Sequence, residues 1–304
     1  MHRSSSDPLT KKTISFIINP ISGTREKGSW PEIIRQIVDT SRFNIRIFFT
    51  EGVGHASKLA QRQIKKGVLY IVAVGGDGTV NEVAKAVRDT PAAMGIVPCG
   101  SGNGLARHLH IPLNLTNALK LINEAAIVSI DYGTVNDKPF FCTFGVGFDA
   151  QISHSFAKSK KRGFRTYVSV IVKEFFRYRS RKYKLKIDGN KFKTRAMMVT
   201  IANSAQFGNN GYISPYANIT DGKLDVCIVR PFPKIQAAFF AFRLFRKRIH
   251  KSSYYRMIKG ENIVLKRKHE GDVHLDGEPY TMGKKLKIKI VPKGLRVLIS
   301  KDFM

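Results

Sequence analysis

The chain has 304 residues with 52 Lys and Arg against 22 Asp and Glu, a net charge of +30 at neutral pH. Its 43% hydrophobic content is that of an ordinary globular protein, and the length allows two domains with a large core. The longest strongly apolar run, AAFFAF at Ala237 to Phe242, is too short for a bilayer-spanning helix.

The first half alternates strand and helix patterns. TISFIINPISG (Thr13 to Gly23) reads as a strand and a Pro/Ser/Gly turn, and PEIIRQIVDT as the helix after it. NIRIFFTEGVGHASKLAQRQIKK repeats the theme, with a strand to Phe49, a loop at Thr50 to Gly54 and a helix from about His55. VLYIVAV (Val68 to Val74) is a β-branched and aromatic run that fits a strand buried on both faces. After it, Val80, Val83, Ala84 and Val87 fall at helical spacing, so Gly75 to Gly78 form a strand-to-helix turn with a helix starting near Thr79. AAMGIVPCGSGNGLARHL is a fourth such unit, and the whole predicts a doubly wound α/β domain whose strand-end loops gather at one sheet edge.

From about Ile130 the pattern alternates polar and apolar residues with Asn-Asp and Asp-Gly turns, which predicts a mainly antiparallel β domain. Two helical insertions interrupt it, Ser153 to about Arg181 and Pro233 to about Tyr255. We expect domains at 13–130 and 131–293, with the last strand, near 294–304, returning to the first. The first dozen residues read as disordered. Cys99, Cys142 and Cys227 are odd in number and lack CxxC spacing, and Met1 to Lys12 is polar, so a reducing cytosol without disulfide framework or structural zinc is expected.

Charge is uneven. Residues 1–150 hold 17 Lys and Arg against 12 acids, and residues 151–304 hold 35 against 10. A basic half implies a polyanionic partner, either nucleic acid or an anionic membrane surface, unless it is a solvated surface kept for solubility.

The chemistry concentrates in the glycine loops. A helix N-terminus at a strand-end turn favours anions, and glycines let backbone N–H groups approach phosphate. Asp77 among them repels a phosphate unless Mg²⁺ or a proton lies between, and the simpler reading is a tight turn with Asp77 as helix cap. The Walker pattern is absent. Gly145, Gly147 and Ala150 spell G-x-G-x-x-A, yet no acidic residue sits near the ribose position and no clear crossover helix follows. Asp276-Gly277 in VHLDGEPY reads either as a hairpin turn, like Asp188-Gly189, or, in extended geometry, as Asp276 and Glu278 facing one way into a cleft. Arg107 and His108 either steady phosphates or lie on a helix surface, and Cys99 reads as a small buried residue.

NPISG at Asn19, GGDGTVNEV at Gly75, PCGSGNGLAR at Pro98 and DGEP at Asp276, in this order, resemble the lipid kinases of the diacylglycerol kinase and sphingosine kinase family. ANSAQFGNNGYISPYANITDGKLDV (Ala202 to Val226) looks like that family's second-domain signature, so the resemblance covers nearly the whole chain. It implies an ATP-binding α/β domain, a β-rich lipid-binding domain and a cleft between them. Carried over by position, it implies nucleotide binding by Asn19, Ser22, Gly23, Thr50, Gly75, Gly76, Asp77, Gly78, Thr79, Asn81, Glu82, Gly100, Ser101, Gly102 and Asn103. Glu278 matches the proton acceptor, with Asp276 beside it, and Asp77 would organise Mg²⁺ or its waters. Asn218, Asp221 and Lys223 fall where some bacterial members hold a structural Mg²⁺. Gly104 stands where bacterial diacylglycerol kinases usually carry aspartate, a spelling closer to the sphingosine kinases.

The expected function is an ATP- and Mg²⁺-dependent lipid kinase, cytoplasmic and peripherally bound to an anionic membrane, where Phe175, Phe176, Phe239, Phe240 and Phe242 with neighbouring Lys and Arg would enter the interface. No nucleic-acid partner is expected, because no recognised module is present, and a homodimer is compatible with the reading. The alternatives are an NAD kinase-like enzyme of soluble substrates, a non-enzymatic polyanion-binding protein, and a catalytically dead lipid-binding regulator.

Overall fold

The computed structural model describes residues 11–23, 28–159 and 164–303. The first ten of the dozen residues read above as disordered, and residues 160–163 of the first helical insertion, lie outside them. Four strands, β1 (Lys12–Ile18), β2 (Phe43–Phe49), β3 (Tyr70–Gly75) and β4 (Ala93–Pro98), pair in parallel in the order β2-β1-β3-β4, with β2 at the edge. Helices α1 (Trp30–Ile37), α2 (His55–Lys65), α3 (Asp77–Val87), α4 (Gly104–His108) and α5 (Leu115–Glu124) connect and follow them. Helix α2 packs on α3 and α1 on α5, and Ile14, Phe16, Val72, Val83 and Leu119 share one core with them. The strand order reverses between β1 and β3, the position at which an open α/β sheet forms a ligand crevice.

The second half contains β5 (Ala126–Val135), β6 (Lys138–Phe140), β7 (Thr143–Gly147), α6 (Phe148–Ala157), α7 (Phe164–Arg177), β8 (Arg181–Ile187), β9 (Asn190–Ala196), β10 (Met198–Ala202), β11 (Leu224–Val229), α8 (Ala237–Phe245), β12 (Tyr255–Gly260), β13 (Asn262–Lys266), β14 (Gly271–Leu275), β15 (Glu278–Met282) and β16 (Lys285–Ile299). Six of these strands form an antiparallel sheet in the order β12-β11-β10-β7-β14-β15. Others extend the first sheet, which reads β2-β1-β3-β4-β16-β13-β8-β9 with β5 also on β16. The fold is thus an N-terminal α/β unit with a parallel sheet joined to a C-terminal antiparallel β sandwich.

Strand β16 joins the two. Its start pairs with β13 and its end lies parallel to β4 at Arg296 and Val297, while β5 runs antiparallel along its length with an irregularity between Val291 and Leu295. Alternation explains the sandwich: Tyr183, Leu185, Ile263, Leu286 and Ile288 of one sheet meet Val146, Val199, Ile201 and Val226 of the other. The opposite face of the six-stranded sheet carries Met198, Cys227 and Val229 against α6, α7 and α8.

Three sequence expectations shift. Helix α3 begins at Asp77, two residues before Thr79, because Gly76 is already the N-cap residue. The first insertion is two helices, and α6 starts at Phe148 directly after Gly147, whose φ of 103° only glycine adopts without strain. The second insertion holds a short α8, followed by turns, before β12.

Candidate active site

The loops after β1, β3 and β4 meet at one edge. Asn19, at the end of β1, donates its amide to Thr79 Oγ1 at 3.2 Å and accepts the Ile21 N–H, while Ser22 Oγ donates to the Asn19 carbonyl. A Cβ on Gly75 would lie 2.5 Å from Thr79 Oγ1, so the turn closes only with glycine there. No side chain caps α3, which leaves its first-turn N–H groups to an external acceptor.

Asp77 ties this turn to the next loop. Its Oδ2 accepts the Asn103 N–H at 2.9 Å and its Oδ1 the Gly104 N–H at 2.7 Å. Asn103, in the left-handed region at φ 50°, closes the loop by exchanging hydrogen bonds with the Gly100 backbone. Gly102 packs on the same carboxylate, and a Cβ there would sit 2.6 Å from Asp77 Oδ2. Asp77 is therefore the clamp of the Ser/Gly loop, and its neighbour Gly78 borders open space.

One of the sequence-predicted positions turns away from this edge. Glu82 accepts the Gly54 and Ala56 N–H groups at 2.7 and 3.0 Å, so it fixes the start of α2 and the loop behind Thr50. Thr50 itself is buried, with its N–H on the Ile18 carbonyl.

The Asp276-Gly277 segment is a hairpin turn between β14 and β15, with φ of 50° and 84°, and the expected extended arrangement of Asp276 and Glu278 does not form. Asp276 points inward and accepts four N–H donors: the Phe141, Cys142 and Thr143 backbone and the Asn81 side-chain amide at 2.6 Å. Burial pushes its carboxyl above the usual carboxylate range, against the pull of the three backbone bonds. Asp276 is thus a staple between α3 and the β6–β7 loop. Glu278 is half-exposed, its Oε2 3.3 Å from Lys85 Nζ and 3.0 Å from the donating Tyr280 hydroxyl. Burial and the Glu278 charge push the Tyr280 phenol up to about 12, which keeps it a donor.

These groups line one end of a cavity of about 950 Å³. Asp77, Asn81, Ser101, Asp276 and Glu278 face it there, and beyond them the wall becomes apolar, with Phe148, Ile152, Phe175, Phe207, Phe240 and Leu244 from the α6, α7 and α8 side. At the junction lie two residues that sequence reasoning missed. His274 Nε2 stands 3.3 Å from Asp149 Oδ2, both nearly buried, and Thr200 Oγ1 donates to the same oxygen at 2.5 Å. The signal was the unassigned G-x-G-x-x-A: any Cβ on Gly145 would overlap both Asp149 and His274, so that glycine makes room for a buried carboxylate–imidazole pair rather than for a dinucleotide.

Arg107 and His108 brace the two halves rather than facing a phosphate. Arg107 donates to the Gly102 carbonyl and to Asn210, and His108 Nδ1 accepts the Ala205 N–H. Burial, with a smaller effect of His110, lowers the His108 pKa to about 4.

In the Asn218, Asp221 and Lys223 set, where the resemblance would use the Asn218 and Lys223 carbonyls, the Asp221 carboxylate is engaged by the chain's own groups. Asp221 Oδ1 accepts the Lys223 N–H and its Oδ2 the Lys259 ammonium at 2.5 Å, while Asn218 Oδ1 accepts both donors of Thr220. A cation of the chain's own already holds the carboxylate.

Solved structures carry the same architecture: a diacylglycerol kinase from the Sterne strain of Bacillus anthracis aligns with a TM-score of 0.76 at 21% identity, over 97% of this chain and 98% of that one. The fold is that of the diacylglycerol kinases. Residues 13–135 match the diacylglycerol kinase catalytic domain and residues 143–299 the YegS C-terminal NAD kinase beta sandwich-like domain. Among curated relatives, the "Probable lipid kinase YegS-like" of Klebsiella pneumoniae is 30% identical over 91% of this chain and 94% of that protein, and the "Diacylglycerol kinase" of Staphylococcus aureus RF122 is 27% identical over 72% and 71%. The chain belongs to the family of diacylglycerol kinases and YegS-like lipid kinases, and it is a lipid kinase.

Proposed function

We propose that this protein transfers the γ-phosphoryl group of ATP to a hydroxyl of a membrane lipid, diacylglycerol or a sphingoid base, with Mg²⁺. The observation that carries this reading is a cavity whose polar end is built from the glycine loops and Glu278 and whose remainder is apolar. A lipid hydroxyl and a nucleotide phosphate would meet at that end.

Phosphoryl transfer needs positioning and charge neutralisation more than covalent chemistry. The uncapped start of α3 and the loop clamped by Asp77 would receive the phosphates. Both donors to Glu278 reach Oε2, which leaves Oε1 for the proton of the acceptor hydroxyl. The residues present fit Mg²⁺: Asn81 Oδ1 is buried without a partner beside the carboxylates, and an ion held by Asp77, phosphates and water suits its habits. Bound there, it would spread the phosphate charge.

Exposed rings and basic side chains on α7 and α8, which also line the cavity, support membrane docking. Phe176, Phe239 and Phe242 on α7 and α8 are at least half exposed, and Lys234, Arg243 and Arg246 lie over their rings. Phe175 and Phe240 differ from the expectation: they pack inward on Phe148 and Phe232 and belong to the cavity wall. No described helix is long and apolar enough to cross a membrane. A cytoplasmic, peripheral enzyme, anchored by aromatic residues and basic charge, is the arrangement we favour.

The test is transfer of labelled phosphate from ATP with Mg²⁺ to diacylglycerol, sphingosine, ceramide and NAD in mixed micelles, with Asp77→Ala and Glu278→Ala as controls. Labelled lipid, lost in both variants, supports the reading and identifies the acceptor. Transfer to NAD alone, or to nothing, overturns it.

A further inference from the structure

The sandwich strands of the ten-stranded sheet place their odd-faced and even-faced residues very differently. Tyr183, Leu185, Ile263 and Leu286 fill the core, and the positions between them on β8, β9, β13 and β16 are mostly exposed lysines. The register aligns them: Lys193, Lys184, Lys266 and Lys285 stand side by side, one per strand, across all four strands. The next row repeats the theme with Lys191, Lys186 and Lys287 around Val264.

Neighbouring strands are about 4.8 Å apart, so the register sets the stems of these lysines side by side on one face. Like charges directly opposite each other on a sheet are destabilising. Nothing on the face offsets them: among the described residues no carboxylate lies within 4.0 Å of any of these lysine heads, and Asp188 at the hairpin end is engaged by the Glu261 and Asn262 N–H groups. A face that accepts this repulsion when free relieves it when an anion of matching density lies on it.

We propose that this lysine face docks on the phosphate backbone of duplex nucleic acid. Position in the layers argues against the bilayer that supplies substrate. The order through the second half is helices α6 to α8, six-stranded sheet, sandwich core, then the lysine face. With packed sheets about 10 Å apart, the face points away from the cavity mouth, and one bilayer cannot touch both. Side-chain chemistry narrows the rest. The two rows hold no outward aromatic ring on which single-stranded bases could stack. They hold lysines rather than the bidentate arginines that read base edges. What remains is sequence-independent neutralisation of a regular, dense row of phosphates. The missing recognition module, which led us to expect no such partner, is not required for backbone binding of this kind.

The test compares the full chain with a Lys184→Gln, Lys193→Gln, Lys266→Gln, Lys285→Gln variant in binding to a 20-base-pair duplex across salt concentrations. Each lost phosphate contact lowers the slope of log K against log salt by about 0.9, so the variant should lose roughly 3 to 4 from that slope. Its melting temperature should equal or exceed that of the parent, and its phosphate transfer to lipid in micelles should not change. A second variant, Arg243→Gln, Arg246→Gln, Lys247→Gln, Arg248→Gln on the cavity side, should keep duplex binding and lose binding to vesicles containing one-third phosphatidylserine. The proposal is overturned if the lysine variant keeps the parent slope, if the cavity-side variant loses duplex binding equally, which would make it bulk charge, or if the lysine variant loses the vesicles instead. None of these readouts uses kinase activity to detect the duplex, so failure here leaves the lipid kinase reading intact.

Discussion

The carboxylate of Asp276 and the amide of Asn81, 195 residues apart in the chain, meet at 2.6 Å and hold α3 of the first half against the β14–β15 turn of the second. Three backbone N–H groups of Phe141, Cys142 and Thr143 converge on the same carboxylate. Asp276→Asn turns one acceptor oxygen into a donor facing donors, and at least one buried N–H loses its partner. We expect a loss of about 1–3 kcal/mol in stability together with a fall in kcat, because the turn also aims Glu278. Denaturant unfolding beside lipid phosphorylation checks both; a variant with parental stability would remove the staple role.

Much of this was legible in the sequence. The alternation of β-branched runs with helical spacing gave the parallel sheet, and the loops at Asn19, Gly75 and Gly100 converge because strand-end loops of such a sheet share an edge. What was not legible depended on contacts between distant residues. Spacing alone made Asp276 and Glu278 equivalent, whereas the left-handed turn at Asp276 ties its carboxylate to four N–H donors and leaves Glu278 with only Lys85 and Tyr280, although both line the cavity. The same holds for Glu82, whose role is set by the N–H groups of Gly54 and Ala56. The four-lysine row exists only through strand register, which a hydrophobic pattern does not specify between strands as far apart as β9 and β16.

Glu278 and its two donors separate chemistry from stability. Glu278→Gln keeps the shape and can still accept from Lys85 and Tyr280, but it cannot take a proton. Loss of a positioned general base costs about 10²–10⁴ in rate, so kcat should fall in that range while the melting temperature barely moves, since the group is half-exposed. Tyr280→Phe removes one donor and should cost far less. Steady-state kinetics on lipid micelles decides this, and an active Glu278→Gln enzyme would reassign the base.

His108 gives a pH dependence with a definite sign. Its folded pKa, about 4, lies below the ordinary value of 6.5 because burial disfavours the charged ring, so between those values the unfolded chain binds more protons. Stability should therefore be level, as far as this group is concerned, above about pH 6.5 and decline as pH falls toward 4, by up to roughly 3 kcal/mol. His108→Gln, which can still accept the Ala205 N–H, should flatten that part of the profile. Melting curves of both proteins between pH 4 and 8 make the comparison; parallel profiles would exclude His108 as the cause.

Gly145→Ala probes the buried pair at the cavity junction. The added Cβ would overlap Asp149 and His274 at a strand position with ordinary φ, so the cost is purely one of space. Overpacking of this kind costs about 1–3 kcal/mol, and displacement of Asp149 also frees the Thr200 hydroxyl. We expect a lower melting temperature and weaker lipid binding with ATP binding preserved, read from the separate KM values. A rise in the KM for ATP alone would instead point to the glycine loop reading of this segment.

Lys259 carries the last expectation. Its ammonium is 2.5 Å from Asp221 Oδ2 and 4.0 Å from Asp225, whose carboxyl is pushed up mainly by burial. The hydrogen bond to Asp221 in turn raises the Lys259 pKa. Since the chain supplies its own cation at this carboxylate, the melting temperature in EDTA should match that in millimolar Mg²⁺. Lys259→Met leaves the Asp221 carboxylate without its cation, holding only the Lys223 N–H, and should cost on the order of 1 kcal/mol, the range of a partly exposed ion pair. In that variant alone, Mg²⁺ should restore part of the loss by binding the freed carboxylate. A parent protein that loses several degrees in EDTA would show a divalent ion at Asp221 and displace the lysine from this role.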